Sequence, residues 1–597
     1  MRRLVALMMM AVVLAGCAGN NDNPDEEPEE LVTDEPVFAE SVPVVLTENG
    51  TEAAWDFTGP YSRTLTEGIY DILAPQHIVL TSDIDGATIE MGLWLPDGEG
   101  PWPVLMFSSP YFSVGGRPVT NPGGPSSSVG MLINEIVPHG YAFATHAVRG
   151  TAGSGGCNDL MGPLETLDID QAVTWLGTQD WSNGKVGMTG VSYDGSTPWG
   201  VASLGNEHLA TIIPISGVPD MHGLMYRNGS SETRGPLLLN ALYIAGGVQS
   251  APTDASLAER VICPDAYQGL ALSGVATVAG TDPTGWWQER NRKAGVEANY
   301  QGSVFSIQGM QDWNVDPSQV IPWVDELDKQ GIKTKQLLGQ WGHSWPDTIG
   351  DEGQNAGPMR ADWKEILLRW LNSELKGQDV DTGPPVQVRD QLGRWRNELT
   401  FPPRDATWTT WHLGNGGLLS PEPGSPETIR LRPIVPFMDV GNSAVDVAAE
   451  LVDFVLPKTE GELLISGLPK VHVAVTPQGP GGYIGAYLYN RAPNGDLAVI
   501  GWTSMNLAFA NGGTERQEVI PGQTIRAMME IQPMDAAIPE GHELVLRVWV
   551  NTDADRLPTV PPGIVDLELG HSLESTLILP TIERTDEYYF EPPVPSE

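Results

Sequence analysis

The sequence predicts an α/β domain followed by an all-β domain, and three observations carry the prediction. Between about residues 75 and 380, apolar runs of strand length alternate with segments of helical period, as in a parallel sheet with helices on both faces. Beyond about 380 that period fades, and short β-type runs follow one another across Pro, Gly, Asn and Asp turns, as in a β-sandwich or jelly roll. The chain has 597 residues, more than one core comfortably holds. The expected division is 61–380 for the α/β domain and 381–597 for the all-β domain.

The elements follow in order. "HIVLTSDIDGATIEMGLWLP" holds two β-rich runs joined by an Asp85-Gly86 turn, a hairpin pattern. "WPVLMFSS" and "YAFATHAV" are apolar runs of strand length. "LETLDIDQAVTWLGTQ" places Ile169, Ala172, Val173 and Leu176 on one helical stripe. "KVGMTGVS" and "LATIIPIS" are strands again. From about 218 to 300 the rhythm breaks: "LLLNALYIAGG" and "ASLAERVI" read as helices with no strand between them, a helical cap inserted over the sheet edge. "GSVFSIQG", the helix "SQVIPWVDELDKQG", the strand "KTKQLLGQW" and the amphipathic helix in "GPMRADWKEILLRWLNSELKG" complete the first domain. "TWTTWHLG", "ELLISG", "VHVAVTP", "IGAYLYNR", "LAVIGWTSM", "ELVLRVWV" and "STLILP" are the strands of the second.

Charge narrows the function. Acidic residues number 76 against 33 basic ones, a formal net charge of −43. Such a field repels phosphates and argues against a nucleic-acid partner. "MRRLVALMMMAVVLAGC" pairs Arg2 and Arg3 with a short apolar run and ends in Leu14-Ala15-Gly16-Cys17. It reads as an export signal, too short for an ordinary membrane span, and its end resembles a lipobox in which Cys17 is lipidated. The expectation is a signal over 1–17, an acidic flexible tether over 18–60, and a chain held only by its lipid at the outer face of the cell membrane. Only Cys157 and Cys263 remain. An oxidising compartment allows a disulfide between them, and two separate buried thiols is the alternative.

"GMTGVSYDGS" carries the chemistry. Gly190, Val191 and Ser192 fit the start of a G-x-S-x-G nucleophile elbow, but Asp194 stands where the second glycine belongs and Gly195 follows it. A strand ends at Ser192 and small residues after it can start a helix, the context an elbow needs. A serine nucleophile requires a base and an orienting acid, in the chain order Ser, Asp, His on this topology. His77, His139 and His146 precede Ser192, and His208 and His222 come too early to follow an acid. His412, His472, His542 and His571 lie in the β-rich region. His343, in "GQWGHSWPD" after the last strand of the α/β domain, is left. Asp316 precedes Pro317 and reads as a helix N-cap; Asp312, straight after a strand, is free to meet the histidine.

These residues resemble a family. "GVSYDG" matches the G-x-S-Y-x-G elbow of the Xaa-Pro dipeptidyl-peptidases and the related cocaine-esterase-like hydrolases, where the glycine belongs at the later place. "WPVLMFSSPY", "VRGTAGSGG", "WWQERN", "GMQDWNVDPSQV", "HLGNGGLL" and "IPEGHELVLRVW" are similar to further segments of that family, the third and fourth to its peptidase branch in particular. The resemblance covers roughly residues 65 to 590. It implies an α/β-hydrolase domain with a jelly-roll tail, and a serine hydrolase that releases Xaa-Pro dipeptides. In that reading Ser192 is nucleophile, Asp312 the acid and His343 the base. Tyr111 and the Tyr193 amide form the oxyanion hole, and Tyr226 and Asn228 line the substrate pocket. Arg149 braces a loop, and Pro198 puts the register of the helix after Ser192 in question. The partner is a peptide or small acyl substrate, with no metal or organic cofactor; Asp553 and Asp555 read as solvated turn residues, not calcium ligands. The alternatives are a carboxylesterase or amide acylase, and a lipid-anchored binding protein with an inactive hydrolase domain.

Overall fold

The computed structural model describes residues 68–592 apart from 113–117, 123–127, 233–235, 280–281, 283, 349–357, 359, 361, 434–449, 457, 459–460, 511–515, 552–555, 558–562 and 571–574. It also describes the backbone of an antiparallel hairpin, Val44–Glu48 with Thr51–Trp55. That hairpin lies inside the stretch expected to be a flexible tether; Asn49-Gly50 between its strands is the signal a hairpin turn leaves in sequence. The signal segment with Cys17, the remainder of the tether, Asp553 and Asp555 lie outside the described residues.

The first sheet has eleven strands. Ten run in chain order as β1 Gln76–Thr81, β2 Thr88–Trp94, β3 Trp102–Ser109, β4 Ala142–Ala147, β5 Ser182–Val191, β6 Leu209–Ile215, β7 Ser303–Gly309, β8 Thr334–Gly339, β9 Val386–Arg389 and β10 Trp395–Glu398. Their spatial order is β1-β2-β4-β3-β5-β6-β7-β8-β9-β10, with Tyr589–Phe590 closing the far edge. From β4 to β9 every neighbouring pair is parallel. Alternation along a strand explains the two layers. In β3, Leu105 and Phe107 face a core with Leu132 and Ile133 of α1 (Ser128–Ile136) and Trp363, Trp370 and Leu371 of α10 (Trp363–Lys376), while Val324 and Leu327 of α9 (Ile321–Lys329) belong to the opposite core. Val104 and Met106 face the opposite core with Ile169, Ala172 and Val173 of α2 (Pro163–Gly177) and Trp199 of α3 (Tyr193–Leu204).

The sheet runs past the expected boundary at 380. β9 and β10 have four residues each and no helix between them, so in sequence they look like jelly-roll strands although they pair with β8. Thirteen further strands between Thr407 and Ile582 form the all-β unit around its own core. Buried charge ties the two units: Arg396 of β10 donates to both carboxylate oxygens of Asp535 at 3.0 and 2.6 Å.

The insertion contributes α4 Met221–Tyr226, α5 Pro236–Gln249, α6 Asp254–Val261, α7 Pro264–Ala279 and α8 Lys293–Asn299. It does not lie over the sheet edge. Tyr243 of α5 meets Tyr111 and Tyr193 above the C-terminal ends of β3 and β5. The insertion's last helix packs on the sheet's own layer: α8 lies beside α3, where a Cβ on Gly295 would stand 2.9 Å from the Ser203 carbonyl oxygen. Among the described residues no helix is long and apolar enough to cross a membrane.

Two contacts pin the cap to the loop after β4. Arg260 donates to the Ala152 and Ser154 carbonyls at 2.6 and 2.9 Å. Cys157 and Cys263 stand with Cα atoms 5.8 Å apart, bonded across 106 residues and inside the span a disulfide bridges. Closing a loop of that length stabilises by up to about 4–5 kcal/mol in the chain-entropy model. Reduction is therefore expected to lower the urea midpoint and expose two titratable thiols in the unfolded chain. An unchanged midpoint, with both thiols already free, would contradict the pairing.

Candidate active site

The site starts from a turn. Ser192 stands between β5 and α3 with φ 66° and ψ −125°, a conformation costly for any residue with a Cβ. Close backbone approach holds it. A Cβ on Gly190 would stand 2.5 Å from the Asp194 carbonyl, and one on Gly195 would stand 2.6 Å from the Ile215 carbonyl. The later glycine thus performs the packing expected of the earlier one, where α3 crosses β6. Asp194 fits because its side chain is buried beside this crossing; burial pushes its carboxyl well above the ordinary range, against a hydrogen bond from Ser109. Pro198 does not break α3. It lacks the N–H that would reach the Asp194 carbonyl, and Thr197 Oγ1 donates there instead at 3.0 Å.

Parallel register brings Asp312 and His343 to the same rim as Ser192. Val191 lies opposite Ile215, Ile215 opposite Ile307, and Gly309 opposite Gly339. Loops that follow these positions in β5, β7 and β8 emerge side by side, and they carry Ser192, Asp312 and His343. His343 Nδ1 donates to Asp312 Oδ2 at 2.8 Å. Asp312 is fully buried, and its other oxygen accepts the Asn314 and Val315 amides, both at 2.9 Å. Those bonds fix the carboxylate and leave the imidazole partly open to the surface. Among the described residues no hydrogen bond joins Ser192 Oγ to His343. Asp316 caps the turn Pro317–Gln319 and pairs with Arg227 at 2.6 Å.

Tyrosines flank the serine. Tyr111 is 43% exposed and its hydroxyl shares a 2.9 Å hydrogen bond with Tyr243 of the cap. Tyr193 heads α3, so its backbone N–H has no acceptor within the helix. Its buried hydroxyl donates to Glu165 at 2.6 Å and accepts the Met161 amide at 2.9 Å. Glu165 is missed by the sequence reading, although it lies four residues before Ile169 on the apolar stripe of α2, where a charge is out of place. Met161 and Leu160 both have positive φ, and the "WWQERN" segment holds them. Arg290 donates to the Leu160 carbonyl at 2.9 Å while its guanidinium lies 3.3 Å over the Trp286 ring.

The two expected pocket residues separate. Tyr226 is buried with Tyr193, Val218, Trp287 and Val315 in an apolar cluster under the cap. Asn228 turns away: its amide donates to the Ser504 carbonyl of the all-β unit at 3.0 Å, so it joins the two units and does not face a pocket. Arg149 braces the loop after β4 through Asp168 at 2.7 Å and Asp85 at 3.1 Å.

Burial pushes the Glu165 carboxyl up to about 7, against the Tyr193 hydrogen bond. An acid raised in the folded state favours folding most while protonated, so its contribution is lost as pH rises from about 4.5 through 7. The loss is on the order of 3 kcal/mol. Glu165→Gln is expected to flatten the dependence of Tm on pH between 5 and 8, and to raise Tm at pH 8. An unchanged slope would contradict the assignment.

The model of the family described as X-Pro dipeptidyl-peptidase (S15 family) matches residues 85–345. That of the X-Pro dipeptidyl-peptidase C-terminal non-catalytic domain matches 378–553. A protein of Streptomyces avermitilis with the provisional name Xaa-Pro dipeptidyl-peptidase is 27% identical over 536 residues, 77% of this chain and 75% of that one. The cocaine esterase of a Rhodococcus species is 31% identical over 375 residues, 57% of this chain and 62% of that one. An aminopeptidase from a marine sediment Thaumarchaeota archaeon superposes with a TM-score of 0.70 at 14% identity, over 87% of this chain and 98% of that one; this last likeness is one of fold. The two family models, in order along the chain and together spanning most of it, show that the chain belongs to the X-Pro dipeptidyl-peptidase family of serine hydrolases, with an α/β-hydrolase domain and a C-terminal all-β domain.

Proposed function

We propose that the protein is an exported dipeptidyl-peptidase that releases Xaa-Pro from peptide N-termini through an acyl-enzyme on Ser192. The observation that carries this reading is the 2.8 Å bond between His343 Nδ1 and the buried Asp312, on the same rim as the strained Ser192 turn. Held this way, the imidazole presents Nε2 as the base. His343 takes the Ser192 proton as Oγ attacks the scissile carbonyl. Tyr111 and the Tyr193 amide donate to the oxyanion. His343 then protonates the leaving amine, and water, deprotonated by the same imidazole, releases the dipeptide. Relatives named Xaa-Pro dipeptidyl-peptidase in Streptomyces avermitilis and Lacticaseibacillus rhamnosus support the peptide substrate. The cocaine esterase relative supports an ester substrate as second reading. Export and a lipid on Cys17 rest on the first seventeen residues, and the Cys157–Cys263 pair suits that compartment.

The chain freed of residues 1–17 is expected to cleave Ala-Pro or Gly-Pro anilides in strong preference to short-chain nitrophenyl esters. Ester turnover alone would select the esterase, and no turnover of either would favour a binding protein. Ser192→Ala is expected to cost on the order of 10⁴ or more in kcat. Tyr111→Phe is expected to cost about 10²–10³ in kcat with KM little changed. A Tyr111→Phe variant with wild-type kcat would remove Tyr111 from the oxyanion hole.

A further inference from the structure

Beside the acid stands a residue the mechanism does not use. Gln311, immediately before Asp312, is 94% buried by its 6% exposure. Its side-chain amide uses both hydrogens: one goes to Gln340 Oε1 at 2.5 Å, the other to the Ile500 carbonyl at 3.2 Å. Gln340 precedes His343 by three residues and is itself buried. Its backbone N–H donates to the Arg389 carbonyl at 3.0 Å, and its amide reaches Met310 Sδ at 3.6 Å. The Gln311 backbone N–H donates to the Trp341 carbonyl at 2.9 Å. The loops bearing acid and base are therefore tied to each other at main chain and side chain, and one amide ties both to a strand of the all-β unit.

The tie to the second unit recurs nearby. The Ser318 amide, in the same acid loop, donates to Gln532 Oε1 at 3.2 Å. Asn506 donates to the Gly229 carbonyl at 3.2 Å, reciprocating the bond from Asn228 to Ser504. Ile500, Ser504 and Asn506 all belong to one strand, Leu497–Asn506. That strand lies along the acid loop and the base of the cap.

We infer that Gln311 is a positioning residue, through which the all-β unit sets the separation of Asp312 and His343. The inference rests on the reading of those two residues as acid and base. A buried primary amide suits the task. It is planar, its two hydrogens point along fixed directions, and each has a fixed acceptor, so breaking the pair leaves buried carbonyl oxygens unsatisfied. Small displacements at this point matter, because a shift of about 1 Å in a catalytic group can cost on the order of 10² in rate. The strand Leu497–Asn506 thus acts on the chemistry without touching substrate.

The test uses Gln311→Met and Gln340→Met in the chain freed of residues 1–17, with volume conserved and hydrogen bonds removed. Each is expected to lower kcat about tenfold or more with KM little changed. Each is expected to shift the acid limb of the kcat/KM profile to lower pH, because an imidazolium with a looser carboxylate partner is less stabilised. The double variant is expected to be no worse than the poorer single one, since either change breaks the same contact. A lower Tm with unchanged kcat and pH profile would overturn the inference, as would additive losses. If either variant fails to fold, the other supplies the same kinetic readout. Asp312→Asn separates the two levels. If it keeps full activity, the acid assignment itself is wrong; if it loses activity while the glutamine variants behave as wild type, only the positioning role is wrong.

Discussion

The structure turns on one conformational constraint: a non-glycine residue held at φ 66° between a buried strand and a buried helix. Such a residue persists only where its surroundings over-determine it, at a cost of about 1–3 kcal/mol. Here the surroundings are backbone against backbone. Gly190, Gly195 and Gly217 bring β5, α3 and the segment after β6 closer than any side chain would allow. The Ser192 amide donates to the Ile215 carbonyl at 3.0 Å, which seats the turn on the neighbouring strand. The turn lifts the hydroxyl from the sheet and aims the first amides of α3 at its side.

Everything else at the site adapts to that position. The sheet order fixes which loops arrive there, and the antiparallel edges β1–β2 and β9–β10 stay clear of it. The loop after β7 brings Asp312 and the loop after β8 brings His343. The cap brings Tyr243 against Tyr111 and Tyr193. Glu165, whose carboxyl burial raises to about 7, accepts the Tyr193 hydroxyl and closes the far side of that ring. The second unit closes the near side of the acid loop. In the proposed mechanism each layer limits how far the reacting groups can drift.

Much of this was legible in the chain. Runs such as "WPVLMFSS" and "LATIIPIS" are apolar throughout because both faces of a central parallel strand are buried, so strand and fold class could be read together. The placement of Ser192, Asp312 and His343 straight after strands could be read from where the apolar runs end. What escaped has physical reasons. β9 and β10 are four-residue strands whose partners are set by tertiary pairing, and periodicity cannot tell which sheet a short strand joins. Asn228 sits in "MYRNG" near the expected pocket, but its positive φ turns the amide to the other unit. Gln311 and Gln340 are polar residues in loops, and only their meeting in space reveals that both are buried.

The central claim is that the strained serine is the reacting group and that the Asp312–His343 pair activates it. A fluorophosphonate probe followed by peptide mass analysis tests this most directly. The account predicts one phosphonylated residue per chain, Ser192, with labelling slowed on the order of 10³-fold or more in His343→Ala. A label on another residue, or equally fast labelling of Ser192 without the imidazole, would contradict it.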